Sequence, residues 1–293
     1  MKNAEYSSGE QKCREVGRTT MKKVAIIGLG WLGMPLALAL QSRGYQVVGS
    51  KSTEDGVTAA RLSGVECYRL CLTPELECEP DELDILLKVD ALIVTLPPGR
   101  LERAGGAYLQ AVQQVVNSAL ALGVPRILYT SSISVYGPLS GRVKENSPLQ
   151  PETGTGKVLL ALEQWLHALP HTEVDILRLA GLVGNNRHPG RFLAGRRDLP
   201  DGSHGVNLVH LEDVIGAITL LLQRPHGGHL YNLCAPAHPA KQDFYPAQAR
   251  LMGLEPPRFL PGDPAQARLI DGQRICSELG FEYQHPDPMT MVF

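Results

Sequence analysis

Short apolar runs alternate with amphipathic segments along most of this chain. Residues 24–27 form a run rich in β-branched side chains, and residues 34–40 continue with apolar positions at helical spacing. A run this short and this apolar reads as a strand buried on both faces, the pattern of a parallel sheet. The alternation then repeats. Strands are predicted at 45–48, 66–70, 89–96, 126–131 and 174–179, and helices at 56–61, 107–122 and 214–222. Glycines at 44 and 123 stop two of the helices. Residues 73–84 are acidic and contain Pro74 and Pro80, so they read as a loop with a short helix on a solvated face. Regular β-α alternation predicts an α/β fold, a Rossmann doubly wound parallel sheet with right-handed crossovers.

The pattern weakens at both ends. Residues 1–20 are polar and aperiodic and read as a disordered tail, or as an extension upstream of a start at Met21. After Pro236 the elements shorten and proline becomes frequent. Helices are predicted at 243–252 and 272–279, the second ended by Gly280, in a small C-terminal α/β lobe. The expected organisation is a tail (1–20), a dinucleotide-binding Rossmann domain (21–180), and a mixed segment (181–293) that completes the sheet and forms a substrate lobe.

Composition narrows the function classes. The 293 residues carry a net charge of -2, which gives no electrostatic reason to expect nucleic acid or a membrane surface as partner. No apolar run reaches membrane-spanning length. The six cysteines include no CxxC pair, and Cys67, Cys71 and Cys78 are spaced for neither a zinc site nor a redox couple. Reduced thiols in a cytoplasmic protein, a small-molecule substrate, no metal, and a monomeric or homodimeric state are the expectations.

The chemistry concentrates first at Gly28-Leu29-Gly30-Trp31-Leu32-Gly33. A lone GxGxxG is a weak signal, but here it leaves a predicted strand and enters a predicted helix, the order that dinucleotide binding requires. Gly28 suits the tight turn, Gly30 lets backbone approach a pyrophosphate, and Gly33 lets helix and strand pack closely. The helix N-terminus then offers free N–H groups and positive dipole. The second strand leads into Gly49-Ser50-Lys51-Ser52-Thr53, where an NAD enzyme usually places a carboxylate for the ribose 2′-OH. Hydroxyls and a lysine suit a 2′-phosphate instead, so NADP is preferred over NAD, although Glu54 and Asp55 stand close by. Leu96 and Pro97, at the carboxyl end of the fourth strand, are placed along the cofactor crevice, as is Ser131 after the fifth.

Residues 127–137, Ile-Leu-Tyr-Thr-Ser-Ser-Ile-Ser-Val-Tyr-Gly, resemble the strand-and-loop motif of extended short-chain dehydrogenases/reductases, the NAD(P)-dependent epimerases and dehydratases. Residues 144–148, 177–184 and 206–214 are similar to later motifs of that family in the same order, and 230–234 resembles its seventh strand. The chain looks like an atypical bacterial subgroup, with the resemblance running from about Met21 onward.

The resemblance implies a catalytic Ser or Thr, then Tyr-x-x-x-Lys on the next helix. Ser132 matches the first position and Lys157 can match the lysine, but Thr153 then stands where tyrosine belongs. No tyrosine lies between Tyr136 and Tyr231. A threonine hydroxyl is far too weak an acid to replace a phenol, so the usual proton transfer is expected to be absent. Lys157 reads equally as a nicotinamide-ribose ligand or as a helix opener. In the family the loop after the sixth strand faces substrate. Here it carries Arg187, His188 and Arg191, with Arg196 and Arg197 further on. Arg187 and Arg191 suit bidentate contact with phosphate or carboxylate, and His188 is the nearest replacement acid. Tyr136 and Ser132 are placed beside substrate on the same ground. His210, on an apolar stretch, reads as a core histidine. The expectation is an oxidoreductase, epimerase or dehydratase with a nonstandard site, acting on a small polar substrate such as a nucleotide-linked one; the alternative is a non-catalytic NAD(P) sensor.

Overall fold

A computed structural model describes residues 23–72, 75–99 and 107–293; the tail expected at 1–20 lies outside them. In chain order the elements are β1 (Lys23–Ile27), α1 (Gly33–Gln41), β2 (Gln46–Lys51), α2 (Glu54–Leu62), β3 (Glu66–Arg69), β4 (Cys71–Leu72), β5 (Leu76–Glu77), α3 (Pro80–Leu87), β6 (Ala91–Val94) and α4 (Tyr108–Ala121). There follow β7 (Arg126–Ser132), β8 (Gly141–Val143), α5 (Gly154–His167), β9 (Glu173–Leu179), β10 (Gly181–Val183), β11 (Leu208–His210) and α6 (Leu211–Leu222). The last are β12 (Leu230–Leu233), α7 (Lys241–Leu251), β13 (Arg268–Ile270) and α8 (Arg274–Leu279).

Seven strands form one sheet in the order β12-β9-β7-β6-β1-β2-β3, and every neighbouring pair is parallel. This is the doubly wound Rossmann arrangement that the alternation predicts. All four residues of β6 are buried, as are Val24 to Ile27, because helices cover both faces. The order reverses between β1 and β6, so the crevice outside their carboxyl ends is the topological switch point.

Local signals explain most boundaries. Thr53 caps α2 by accepting from the Gly56 N–H, with Glu54 and Asp55 in the first turn against the positive end of the helix. Pro80 opens α3. Gly280 closes α8 in the left-handed conformation, φ +68°. Two boundaries depart from the sequence pattern. The strand expected at 45–48 runs on through Lys51, because β3 pairs with it to Lys51↔Arg69. Leu76–Glu77 of the acidic stretch form β5, which pairs antiparallel with β4.

The segment after β9 returns to the main sheet through β12, forms the small parallel pair β10–β11, and supplies β13, which pairs in parallel with the earlier β8. A second, smaller core of Val183, Val206, Leu208, Ala235, Phe244 and Met291 lies beneath this lobe.

Candidate functional site

The glycine turn is locked from three sides. Gly28 has φ +99°, and a Cβ there would come within 2.9 Å of Leu96 Cδ2. The Thr95 hydroxyl donates to the Gly28 carbonyl at 2.8 Å, which ties β1 to β6 across the switch point. Gly33 has no room for any side chain, since its Cβ would lie 2.1 Å from that same carbonyl oxygen. Leu29 is fully buried against Gly49, where a Cβ would sit 2.5 Å from Leu29 Cγ.

Gly30 differs from these glycines. It is exposed, and a Cβ built on it meets nothing within 4 Å. The N–H groups of Trp31 and Leu32 beside it have no backbone or side-chain acceptor among the described residues. Directly after them α1 begins. Open space, free amides and a helix N-terminus together make an anion cradle of the kind that holds a pyrophosphate.

At the far end of β2 the hydroxyls serve the fold. Ser50 is buried; its Oγ accepts from the Gly28 N–H at 3.1 Å, and its carbonyl accepts from Leu29 N–H at 2.9 Å. It braces the turn from behind, whereas the sequence reading turned it toward the ribose; a pleated strand sends only alternate side chains to one face. Lys51 is half-buried at the strand end, in register with Arg69, whose Nε lies 3.8 Å from Glu54 Oε1. Arg69 places a second cation there, and it draws on the nearby carboxylate.

A later loop closes over the turn. The Trp31 indole N–H donates to the Asn185 carbonyl at 2.8 Å, and the Arg187 guanidinium stacks 5.4 Å from the Trp31 ring centroid. Gly184, φ +148°, makes the approach possible: a Cβ there would lie 2.9 Å from Leu211 Cβ and 3.5 Å from Trp31. Trp31 and Arg187, 156 residues apart by their numbers, thus meet at the mouth of the crevice. Leu96 is half-buried over Gly28, and Pro97 is exposed.

At the end of β7, Ser132 is half-exposed and its Oγ accepts from the Ser134 N–H. Its neighbours depart from the expected roles. Ser131 is buried and donates to Glu163 Oε1 on α5, not to a ligand. Tyr136 is fully buried; its hydroxyl donates to Asn232 Oδ1 at 2.7 Å and accepts from Arg178 at 2.9 Å. Arg178 in turn makes a paired contact with Glu163, 2.7 Å at the closest. This interior network stitches β7, α5, β9 and β12 together, so Tyr136 is no substrate contact. Burial raises its phenol pKa despite the opposing Arg178, and burial raises Tyr108 and Tyr129 as well.

Helix α5 answers the question of the missing tyrosine. Thr153 lies before the helix as its N-cap, accepting from Gly156 N–H at 3.0 Å. Lys157 is exposed. The inward face runs Gly156, Leu159, Leu162, Glu163 and Leu166, with Leu159 2% exposed and Glu163 bonded to β7. Neither a phenol nor a lysine stands on it. In the basic loop, His188 Nδ1 accepts from Gly190 N–H, and burial followed by Arg191 lowers its pKa, which keeps it neutral at pH 7. Arg191 and Arg196 are exposed, and Arg197 pairs with Glu255 at the surface. No helix among the described residues is long and apolar enough to cross a membrane.

The model of the NAD dependent epimerase/dehydratase family matches residues 24–234. The chain belongs to that family. It is 64% identical over 272 residues to Protein YeeZ of Escherichia coli K12, covering 92% of this chain and 99% of that protein. Among solved structures it is similar to a functionally unknown conserved protein from Silicibacter pomeroyi, with TM-score 0.73, 26% identity and coverage of 92% and 95%. It is also similar in fold to UDP-glucuronic acid 4-epimerase from Bacillus cereus, solved with UDP-glucuronic acid and NAD, with TM-score 0.71, 19% identity and coverage of 89% and 94%.

Within this family fold, several groups at the site escaped the sequence pattern. Arg69, Thr95, Asn185 and Glu163 sit on four different elements or loops. Only pairing register and tertiary contact bring them to the crevice or behind it.

Proposed function

We propose that this protein binds NADP(H) or NAD(H) on the Gly28–Gly33 turn and acts on a small polar, nucleotide-linked substrate. Its reaction is of the oxidoreductase, epimerase or dehydratase type, with proton transfers that use no tyrosine. The observation that carries this reading is the open cradle at Gly30, with free amides on Trp31 and Leu32, at the switch point of the sheet. Gly28 and Gly33 hold the turn's shape, Leu96 and Pro97 wall it, and Lys51 with Arg69 faces the adenosine end. Bound there, the dinucleotide supplies an acceptor or donor of hydride. Ser132, at the carboxyl end of β7, and Arg187 and Arg191 are the groups assigned to substrate. His188, held neutral with its Nδ1 occupied, keeps its one proton on Nε2, from which it can hydrogen-bond a substrate oxygen; the lowered pKa disfavours the imidazolium form that acid catalysis would need. Lys157 is exposed, which weakens its assignment to the nicotinamide ribose.

Two cations in register at the end of β2 favour NADP(H), since a 2′-phosphate adds negative charge where Arg69 draws on Glu54. A cytoplasmic monomer or homodimer is part of the same proposal. The inward stripe of α5, which carries neither phenol nor lysine, favours a second reading: a sensor that binds NAD(P) without turning it over.

The test is mass spectrometry of small molecules released from native protein, followed by incubation of the recovered compound with the protein. A co-purified dinucleotide together with a compound whose oxidation, epimerisation or dehydration the protein catalyses supports the enzyme. A dinucleotide recovered unchanged, with no turnover of any co-purified compound, supports the sensor. Absence of dinucleotide binding in direct titration overturns both.

A further inference from the structure

Outside the crevice, His210, Glu212 and His285 bring three ligand atoms within 4.8 Å of one another. We propose that these residues form a binding site for a divalent transition metal of the zinc class, one that fastens the C-terminal segment to the start of α6. Two imidazoles and one carboxylate are a borderline nitrogen/oxygen set, which suits zinc, cobalt or nickel better than calcium or magnesium.

The tautomer of His210 is already arranged for the purpose. Its Nε2 faces the Val292 carbonyl at 3.0 Å, and a carbonyl only accepts, so Nε2 carries the proton. Its Nδ1 accepts from the Glu212 N–H at 3.3 Å, a long cap contact that a metal on Nδ1 would displace, leaving that N–H to water. A metal-binding histidine ordinarily donates its other N–H to a carbonyl or carboxylate in this way. Glu212 Oε2 lies 2.7 Å from His285 Nε2 and 4.0 Å from His210 Nδ1, and the two imidazole centroids are 3.8 Å apart. One carboxylate therefore stands between two close imidazoles.

The surroundings supply charge and order. Asp213 is buried, and its carboxylate accepts from the Gln284 N–H at 2.6 Å and the His285 N–H at 3.3 Å, which holds His285 in position from behind. Glu212 and Asp213 together bring two negative charges to a helix N-terminus, where the backbone field alone would repel a cation. A divalent ion balances them. Glu212 is 55% exposed along its side chain, so water can complete the coordination sphere and ions can enter.

The test uses zinc and cobalt chlorides titrated into the purified full chain at neutral pH, after treatment with a chelator. One zinc per chain is expected, with affinity in the micromolar range or tighter. His285→Ala and Glu212→Gln should each weaken it by at least about tenfold. Asp213→Asn should weaken it less than either ligand variant. Cobalt should give visible bands of nitrogen/oxygen ligation without thiolate charge transfer, which separates this site from the cysteines. Zinc should also raise the melting temperature of the parent protein but not of the His285→Ala variant. Lack of stoichiometric binding, binding by either ligand variant as tight as the parent's, or a thiolate signature would each overturn the proposal.

Discussion

Gly30→Val separates binding from folding more cleanly than any other change at the turn. A Cβ at Gly30 meets nothing within 4 Å and its φ is not in the left-handed range, so the free protein should accept the valine with a cost within about 0.5 kcal/mol. The new side chain fills the space against which an anion would lie. Contacts from N–H groups to a charged partner contribute about 1.5–3 kcal/mol each, and the Trp31 and Leu32 amides beside Gly30 have no acceptor among the described residues. Losing both predicts a fall in dinucleotide affinity of about 10²–10⁴-fold. Gly33→Ala is the matched opposite. Its Cβ would lie 2.1 Å from the Gly28 carbonyl oxygen, so backbone must move, at about 1–3 kcal/mol of stability. Melting temperature and calorimetric titration of both variants with NADP and NAD form the assay. Gly30→Val should melt within a degree or two of the parent and fail to bind, while Gly33→Ala should melt several degrees lower. A well-folded Gly30→Val protein that binds dinucleotide within twofold of the parent would refute the cradle.

Lys51→Ala should lower NADP affinity about ten- to hundred-fold and NAD affinity little, and Arg69→Ala should act in the same direction; side-by-side titrations at one ionic strength check it, and equal losses for both cofactors would rule out a phosphate contact. Glu163→Leu leaves the Arg178 guanidinium buried at 3% exposure without its carboxylate, and should cost about 3–5 kcal/mol, seen as a melting temperature lower by about 6–20 °C; replacing Arg178 and Glu163 together by apolar residues should recover much of that loss. His238 is half-buried with Nδ1 at the Val206 carbonyl, and desolvation first, then Arg142, lowers its pKa from 6.5. The unfolded chain therefore takes up this proton before the folded one does, so stability present at about pH 7.5 falls as pH drops through the unfolded value. Glu145 and Asp213, shifted upward mainly by burial, act in the opposite sense at lower pH. The melting temperature should decline between about pH 7.5 and 6, less steeply in His238→Gln, and a flat profile in both proteins would be incompatible with this assignment.

How much of this was legible beforehand depends on the range of the interaction involved. Apolar runs such as residues 24–27 and 91–94 determined buried parallel strands, because burial on both faces leaves a continuous rather than an alternating signature. Thr53 and Pro80 open α2 and α3 by local means, although the sequence reading began the first of these helices at Gly56 and took Pro80 as a loop signal. Gly280 marked its helix end by backbone freedom, which needs no partner far along the chain. The glycine turn was readable for the same reason. Strand, turn and helix are contiguous, and Gly33 answers the steric demand of the Gly28 carbonyl five residues before it.

Side-chain direction and pairing were decided only in three dimensions. Ser50, Ser131 and Tyr136 look like ligands in the sequence, yet the pleat of β2 and β7 and the buried Glu163–Arg178 pair turn them inward. On α5 it is Gly156, Leu159 and Glu163 that face the sheet, and not Thr153 or Lys157. The Thr153 cap sets that phase, and composition carries no trace of it. Arg69 reaches Lys51 through strand register, and Asn185 reaches Trp31 through a loop more than 150 residues away. His210 and His285 meet because Asp213 accepts from the backbone of the C-terminal segment. Such contacts depend on where whole elements dock, and docking is set by the collective packing of the core rather than by any short stretch of chain.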